Sequence, residues 1–110
     1  MKVEEKKQGD VLILYLSGRL DNPGSHQLAE ATTKAIESGE RNLLIHVEDL
    51  NYLNSSGLRV FLDAEEKLEA KGGKCAICSP KGMVRRVIEL VGFNKLMSIY
   101  DSEEEGLQHF

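Results

Sequence analysis

Apolar residues recur along the chain at two spacings, one typical of β-strands and one typical of α-helices. Short apolar runs predict four strands, at residues 11–17, 43–47, 75–78 and 96–100, and a tight turn before the first of them predicts a fifth strand, at residues 3–7. Apolar residues spaced three and four apart predict four helices, at about residues 23–38, 55–70, 80–91 and 102–109. Two strands followed by alternating helices and strands predict an α/β fold, with helices packed on a mixed sheet of four or five strands.

Residues that favour turns and helix ends separate these elements. Asn22 followed by Pro23 predicts the N-cap of the first helix, and Ser79-Pro80 predicts that of the third. Ser102 and Glu105 have the spacing of a capping box at the start of the last helix. A turn at residues 8–10 joins the first two strands, and glycines mark the helix ends: Gly39, Gly72, Gly73 and Gly92.

Composition and charge predict an ordinary globular protein with one domain over residues 1–110. The chain is 41% hydrophobic and 29% charged, and its length provides for one core rather than two. The formal net charge is −4 and the only basic cluster is Lys81 with Arg85 and Arg86, which argues against nucleic acid or an anionic membrane as the main partner. No apolar run approaches about 18 residues and no signal segment is evident. We therefore expect no membrane insertion and a cytoplasmic location.

Cys75 and Cys78 form a C-x-x-C pair, but the surrounding sequence does not favour metal or redox chemistry. A zinc site needs about four ligands, and no second Cys or His pair lies nearby. Residues three apart on a strand point to opposite faces of the sheet, so we predict two buried structural thiols and no metal site. The histidines His26, His46 and His109 are scattered, and no catalytic pairing or cofactor is indicated.

The polar residues at the start of the second helix are the strongest candidates for a functional site. An apolar strand precedes this helix, which opens on Ser55, Ser56 and Gly57. The first N–H groups of a helix have no internal partners and carry partial positive charge, so a hydroxyl or phosphate is held there. The simplest interpretation is that a serine caps the helix. We expect Ser55 to be exposed and Ser56 to hold the turn by bonding to the backbone, although either hydroxyl would serve as the cap.

Over nearly the whole chain, four segments in the right order resemble a single-domain STAS protein, of the family named for sulfate transporters and anti-sigma factor antagonists. They are Gly18-Arg-Leu-Asp21, Asp49-Leu-Asn-Tyr-Leu-Asn-Ser-Ser-Gly-Leu58, residues 79–96, and Tyr100-Asp-Ser-Glu-Glu-Glu105. The resemblance implies a STAS-like fold, and a monomer or weak dimer that has no enzymatic activity of its own.

The resemblance also implies a phosphorylation switch. In bacterial anti-anti-sigma factors of this family, the unmodified protein binds an anti-sigma factor that is also a serine kinase, and binding releases the sigma factor. The kinase phosphorylates the first serine of the Ser-Ser-Gly turn, which corresponds to Ser55 here, and a metal-dependent serine phosphatase reverses the change. The implied partner surface comprises these residues: Asp21, Asn54, Ser55, Ser56, Gly57 and Arg59.

Three residues depart from the family pattern. Asn54 replaces the usual Asp. Asn caps a helix as well as Asp does, so the fold should be kept. The change bears instead on how a kinase and a phosphatase recognise the site. Arg59 replaces a small residue four positions after Ser55, where it would either pair with a phosphate or remain a simple exposed arginine. His46 replaces a strand Asp and is expected to be a packing residue. Asp21 is either part of the partner surface or a simple turn residue.

The sequence leaves three rival functions open. One is a STAS scaffold that does not switch, or the STAS subunit of a lipid transporter. Another is a small-ligand or nucleotide module whose rim is formed by the loops at Asp21 and Ser55. A hydrolase with Ser55 as its nucleophile is the least favoured, because the chain has no G-x-S-x-G elbow and no identifiable base.

Overall fold

A computed structural model describes residues 1–110 of the chain. The strands are β1 (Lys2–Gln8), β2 (Val11–Leu20), β3 (Asn42–Leu53), β4 (Lys74–Cys78) and β5 (Ser98–Tyr100). The helices are α1 (Asn22–Glu37), α2 (Ser55–Glu69), α3 (Gly82–Leu90) and α4 (Glu103–Leu107), with a 3-10 turn at Phe93–Lys95. The predicted α/β class, the order of the elements and the mixed sheet are confirmed.

The five strands form one sheet in the order β1-β2-β3-β4-β5. β1 and β2 form an antiparallel hairpin, and all the other neighbours are parallel. Parallel neighbours need a crossover connection, which α1, α2 and α3 supply. After two register shifts, β2 and β3 stay paired to their last residues, Leu20 opposite Leu53. The two loops that follow, and the starts of α1 and α2, therefore lie side by side.

The two faces of the sheet carry separate apolar clusters. The larger cluster packs the sheet against α1, α2 and α3, and Phe61 is its largest fully buried side chain. The smaller cluster, on the other face, is packed by Leu107 and Phe110 at the C-terminal end of the chain. Its buried members are Val11, Ile13, Leu44, Ala76 and Cys78. The sheet is thus covered on both faces, as parallel strands require.

Both strands that lead to the candidate site are longer than the sequence predicts. β2 reaches Leu20 and β3 reaches Leu53, whereas the apolar runs predict ends at residues 17 and 47. The additional part of β3 contains the exposed residues Glu48, Asp49 and Asn51. Because these residues are polar, the apolar pattern does not predict that the strand continues. Backbone pairing with β2 continues through this polar stretch and holds it in an extended conformation.

Two of the predicted helix starts are wrong by one or two residues. Asp21, not Asn22, caps α1, and its Oδ1 accepts a hydrogen bond from the Gly24 N–H at 3.0 Å. Ser79 does not cap α3, which begins at Gly82 after Lys81. Ser79 instead adopts a left-handed φ of 62°, and its N–H donates to the Tyr100 carbonyl. The backbone of Ser79 therefore ends β4 and cannot cap the helix.

Other predicted helix ends are confirmed. Ser102 caps α4, and its Oγ accepts from the Glu105 N–H at 3.1 Å, which is the expected capping-box contact. Gly39 and Gly92 follow α1 and α3 with positive φ values of 106° and 70°. This left-handed conformation ends a helix and is readily adopted by glycine.

The two cysteines point to opposite faces of the sheet, as their spacing on a strand predicts. Cys75 belongs to the larger cluster and Cys78 to the smaller one, and both are buried free thiols. Burial raises the pKa of the Cys75 thiol, and it raises the pKa of Cys78 to about 11. Both groups are therefore kept as neutral thiols, which pack as small apolar side chains.

Candidate functional site

The candidate site is built by the neighbouring starts of α1 and α2. Asp21 caps α1, and Asn54 caps α2 by accepting from the N–H groups of Ser56 (3.1 Å) and Gly57 (3.4 Å). The Asn54 N–H donates to the Leu20 carbonyl at 3.4 Å, which ties the second loop to the end of β2. The expectation that a serine caps α2 is wrong, because the side chain that accepts from the first free N–H groups of the helix is that of Asn54.

Ser56 joins the two helices through side chains and not through the backbone. Its Oγ lies 2.7 Å from Asn54 Oδ1, 2.9 Å from Asn22 Oδ1 and 2.8 Å from Ser25 Oγ, and the two amide oxygens share its one proton as acceptors. The Asn54 amide also donates to Asn22 Oδ1 at 3.3 Å. The expected bond from Ser56 to the backbone is therefore absent, and the residue fixes α1 against α2 instead.

Ser55 differs from Ser56 in that its side chain is exposed and its hydroxyl has no hydrogen-bond partner within the protein. It is the first residue of α2, and its immediate neighbour Asn54 is uncharged at all pH values of interest. No histidine or carboxylate bonds to the Ser55 hydroxyl, so nothing in the chain activates it as a nucleophile.

Gly57 has a packing role that explains why this turn contains glycine. The residue is buried, and a Cβ added to it would lie 2.6 Å from Leu20 Cγ and 2.9 Å from Leu53 Cδ1. These distances are shorter than real Cβ contacts, so any larger residue would push α2 away from the strand ends. Gly57 therefore contributes to the candidate partner surface through the backbone position that it permits.

Arg19 and Tyr52 extend the site beyond the residues that sequence reasoning identified. The Arg19 guanidinium lies 4.0 Å from the centre of the Tyr52 ring, and its Nε lies 3.9 Å from Asp21 Oδ2. The two residues are partners in the β2–β3 register. Their proximity follows from the polar extension of β3, so a correct prediction of that strand end would have brought them together.

Arg59 is exposed on α2, and its Nε lies 3.8 Å from Asp63 Oδ1. It lines one shallow surface depression together with Ser55, and the remaining lining residues are Ser56, Leu58, Leu62 and Phe93. His46, in contrast, packs against the Tyr15 ring with a centroid distance of 5.0 Å, which agrees with its interpretation as a packing residue. Of the family departures, Asn54 and Arg59 thus belong to the site and His46 does not.

The STAS domain family model matches residues 2–106 of the chain. The chain belongs to the STAS domain family. Among named STAS relatives, the anti-sigma F factor antagonist of Paenibacillus polymyxa is 32% identical over 108 residues, which cover 97% of this chain and 92% of the relative. This match spans the whole sheet and reaches into α4, and it agrees with the resemblance carried by the sequence motifs.

Solved structures of STAS proteins share the fold of this chain. An anti-sigma factor antagonist from Mycobacterium paratuberculosis has a TM-score of 0.90 at 22% identity, covering 98% of this chain and 92% of that one. Unphosphorylated SpoIIAA has a TM-score of 0.82 at 24% identity, with coverages of 98% and 95%. The phosphorylated form of SpoIIAA from Bacillus has a TM-score of 0.74 at 24% identity, with coverages of 98% and 98%.

No group of three or more His, Cys, Asp or Glu side chains is placed so that it would hold a metal ion. None of the helices has both the length and the apolar character needed to cross a bilayer.

Proposed function

We propose that this STAS protein is an anti-sigma factor antagonist that is switched off by phosphorylation of Ser55. The observation that carries the proposal is the exposed and unbonded Ser55 hydroxyl at the first position of α2. A relative at 32% identity is named as an anti-sigma factor antagonist, and a protein of the same fold has been solved in a phosphorylated form. The neighbouring Ser56 is a poorer acceptor, because its hydroxyl is engaged by three side chains.

The proposed partner is an anti-sigma factor that is also a serine kinase. While Ser55 is unmodified, the anti-sigma kinase docks on the joined starts of α1 and α2. This binding releases the sigma factor from the kinase. The exposed or half-buried members of that surface are Asp21, Asn54, Ser55, Ser56 and Arg59, with Gly57 beneath them. None of these residues needs to act as a catalyst in the proposed role, and the protein works by binding.

The switch is electrostatic and steric. The kinase transfers the γ-phosphoryl group of ATP to Ser55 Oγ; the bond from that phosphorus to the ADP oxygen breaks, and the hydroxyl proton is released. The product carries a charge of about −1.5 to −2, which the start of α2 accommodates. A partner surface fitted to a neutral serine has no room or countercharge for this group, so binding weakens. A metal-dependent serine phosphatase restores the binding form.

The first experiment maps the modification. The purified protein is incubated with its cognate anti-sigma kinase and ATP, and the phosphorylated residue is identified by mass spectrometry. We expect phosphate on Ser55 in the wild type, none in Ser55→Ala, and full modification in a matched control. Ser102→Ala is that control, because it removes another exposed serine at a helix start. Phosphate found only at other residues would contradict the proposal.

The binding arm of the same experiment tests the consequence of modification. Ser55→Ala should retain kinase binding and act as a constitutive antagonist. Ser55→Asp should weaken binding by about tenfold or more, which corresponds to about 1.4 kcal/mol or more, because it places an unpaired charge in a fitted interface. Binding without any phosphorylation would favour the non-switching STAS scaffold. Failure to bind any anti-sigma kinase would remove the basis for the antagonist role.

A further inference from the structure

One face of α2 carries a row of four residues spaced four apart: Ser55, Arg59, Asp63 and Lys67. All four are exposed, and residues at this spacing are neighbours on a helix surface. Charge alternates along the row from Arg59 onwards, while its first position is occupied by the neutral Ser55. A phosphate on Ser55 would therefore extend the alternation to the start of the helix.

The existing contact of Arg59 is a weak one. Its Nε lies 3.8 Å from Asp63 Oδ1, and the two side chains are 78% and 51% exposed, so water screens their attraction. The pair also has the less favourable orientation, because an acid placed four residues before a base interacts better than the reverse. Asp63 has a second basic neighbour, Lys67, in the favoured orientation. Arg59 thus leaves Asp63 at little cost.

We infer that phosphorylation of Ser55 draws Arg59 away from Asp63 into an ion pair with the phosphate, and leaves Asp63 to Lys67. The inference rests on the proposed phosphorylation of Ser55. Phosphoserine stands four residues before Arg59, in the favoured orientation, and carries more charge than the Asp63 carboxylate. The guanidinium offers a planar pair of donors that suits phosphate oxygens.

The surroundings of Ser55 also favour this exchange. Ser55 and Arg59 line the same open depression, of about 410 Å³, which is ample for a phosphoryl group and a guanidinium. The capping residue Asn54 is neutral, so no carboxylate adjacent to Ser55 competes for Arg59. Arg59 is therefore a positioning residue for the phosphorylated state. It holds the phosphate along α2, and it makes no hydrogen bond with Ser55 Oγ in the unmodified protein.

The test installs phosphoserine at position 55 by genetic encoding, so that no kinase is required, and follows the phosphate by ³¹P NMR as the pH is varied. A nearby cation favours the dianion of the phosphate and lowers its second pKa, which is about 6 for free phosphoserine. We expect Arg59→Gln to raise this midpoint by about 0.2–0.4 pH unit, the range that a helical pair spaced four apart supplies. Asp63→Asn should lower it, because the competing carboxylate is gone.

The controls separate this pairing from general charge effects. Arg86→Gln removes an exposed arginine on α3 and should leave the midpoint unchanged. Arg59→Lys should give an intermediate value, because it keeps the charge and loses the planar donors. An unchanged midpoint in Arg59→Gln overturns the pairing, and an unchanged midpoint in Asp63→Asn overturns the exchange. Because the phosphate is encoded, a kinase that ignores Ser55 would contradict the proposed function without affecting this measurement.

Discussion

Asn54 holds the start of α2 with a single side-chain oxygen that serves three donors. Two are backbone N–H groups, from Ser56 and Gly57, and the third is the Ser56 hydroxyl. The amide nitrogen of the same side chain reaches Asn22 on the neighbouring helix. Asp in its place could accept the same three hydrogen bonds but could not donate one. The departure from the family pattern therefore preserves the cap and changes the charge beside Ser55.

The capping role of Asn54 predicts a stability loss in Asn54→Ala. We expect a decrease of about 1 kcal/mol in the free energy of unfolding, the usual value of an N-cap, measured by urea denaturation. Asn54→Asp should remain within about 0.5 kcal/mol of the wild type, because a carboxylate also caps and suits the positive end of the helix. Asn51→Ala, at an exposed strand residue that makes no side-chain hydrogen bond, is the matched control. Equal stability of Asn54→Ala and Asn51→Ala would contradict this role.

The sequence locates the candidate site well, but it does not determine the hydrogen bonds within it. A serine pair at the start of an amphipathic helix is visible in the sequence, and the exposure of Ser55 follows from that position. The cap of α1 is misassigned by one residue because Asp and Asn are equally good caps and stand next to each other. The contacts of Ser56 with Asn22 and Ser25 join residues more than thirty positions apart, and they depend on strand register, which one sequence does not reveal.

α4 is a short element whose position depends on the sheet beneath it. A helix of five residues has little stability of its own, so its contacts must hold it in place. The Tyr15 hydroxyl donates to Glu103 Oε1 at 2.6 Å, and the His46 Nε2 lies 3.9 Å from the same oxygen. Gly106 allows close approach to Leu44, since an added Cβ would lie 3.0 Å from that side chain. Polar contacts at Glu103 and apolar packing at Gly106 and Leu107 thus fix the helix.

The contact between Tyr15 and Glu103 predicts a specific dependence on alkaline pH. Burial, together with the hydrogen bond to Glu103 and its charge, raises the pKa of Tyr15 to about 12. Because the folded pKa lies above the ordinary value of 10.0, this stabilisation is fully present below pH 10 and is lost as the pH rises towards about 12. Between pH 10 and 12, the free energy of unfolding of the wild type should fall as Tyr15 ionises. We expect Tyr15→Phe to lack this contribution to the fall, as measured by urea denaturation at each pH.

A matched pair of α4 variants tests whether Glu103 is the residue that raises the pKa of Tyr15. Glu103→Gln should move the titration of Tyr15, read from tyrosinate absorbance, towards lower pH, because the hydrogen bond to a carboxylate and the repulsion of the phenolate both weaken. Glu104→Gln removes the charge of the adjacent exposed residue and should have little effect. An identical shift in the two variants would show that the pKa of Tyr15 is set by the total negative charge of α4 and not by the hydrogen bond to Glu103.

At the scale of elements, apolar periodicity predicts order and type, and it fails where tertiary contacts override local preference. The end of β3 is missed because Glu48, Asp49 and Asn51 are polar, although pairing with β2 keeps them in the strand. The start of α3 is misplaced because Ser79 adopts a left-handed conformation that non-glycine residues rarely take. The bond from its N–H to Tyr100 holds it there, and that bond is not visible in the local sequence.

In the whole molecule, the sheet separates a large core under three helices from a small one under the C-terminal segment. The site at the starts of α1 and α2 rests on the large core, because Gly57 sits directly on Leu20 and Leu53. Cys75 and Cys78 lie in β4 with one thiol in each core. Strand periodicity predicts this division between the faces, since it requires only that 75–78 be a strand. The reactivity of each thiol therefore probes the packing on a different side of the sheet.

The placement of the cysteines predicts that neither thiol reacts or binds metal in the folded protein. Burial raises the pKa of both, so little thiolate is present, and no reagent reaches the sulfur without opening the core. We expect alkylation of the native protein to be slower than that of the urea-unfolded protein by about a thousandfold or more, since opening a core costs several kcal/mol. Chelators should leave the thermal transition unchanged. One zinc ion per chain bound by both thiols would overturn this view, because the strand would then have to unfold to bring them together.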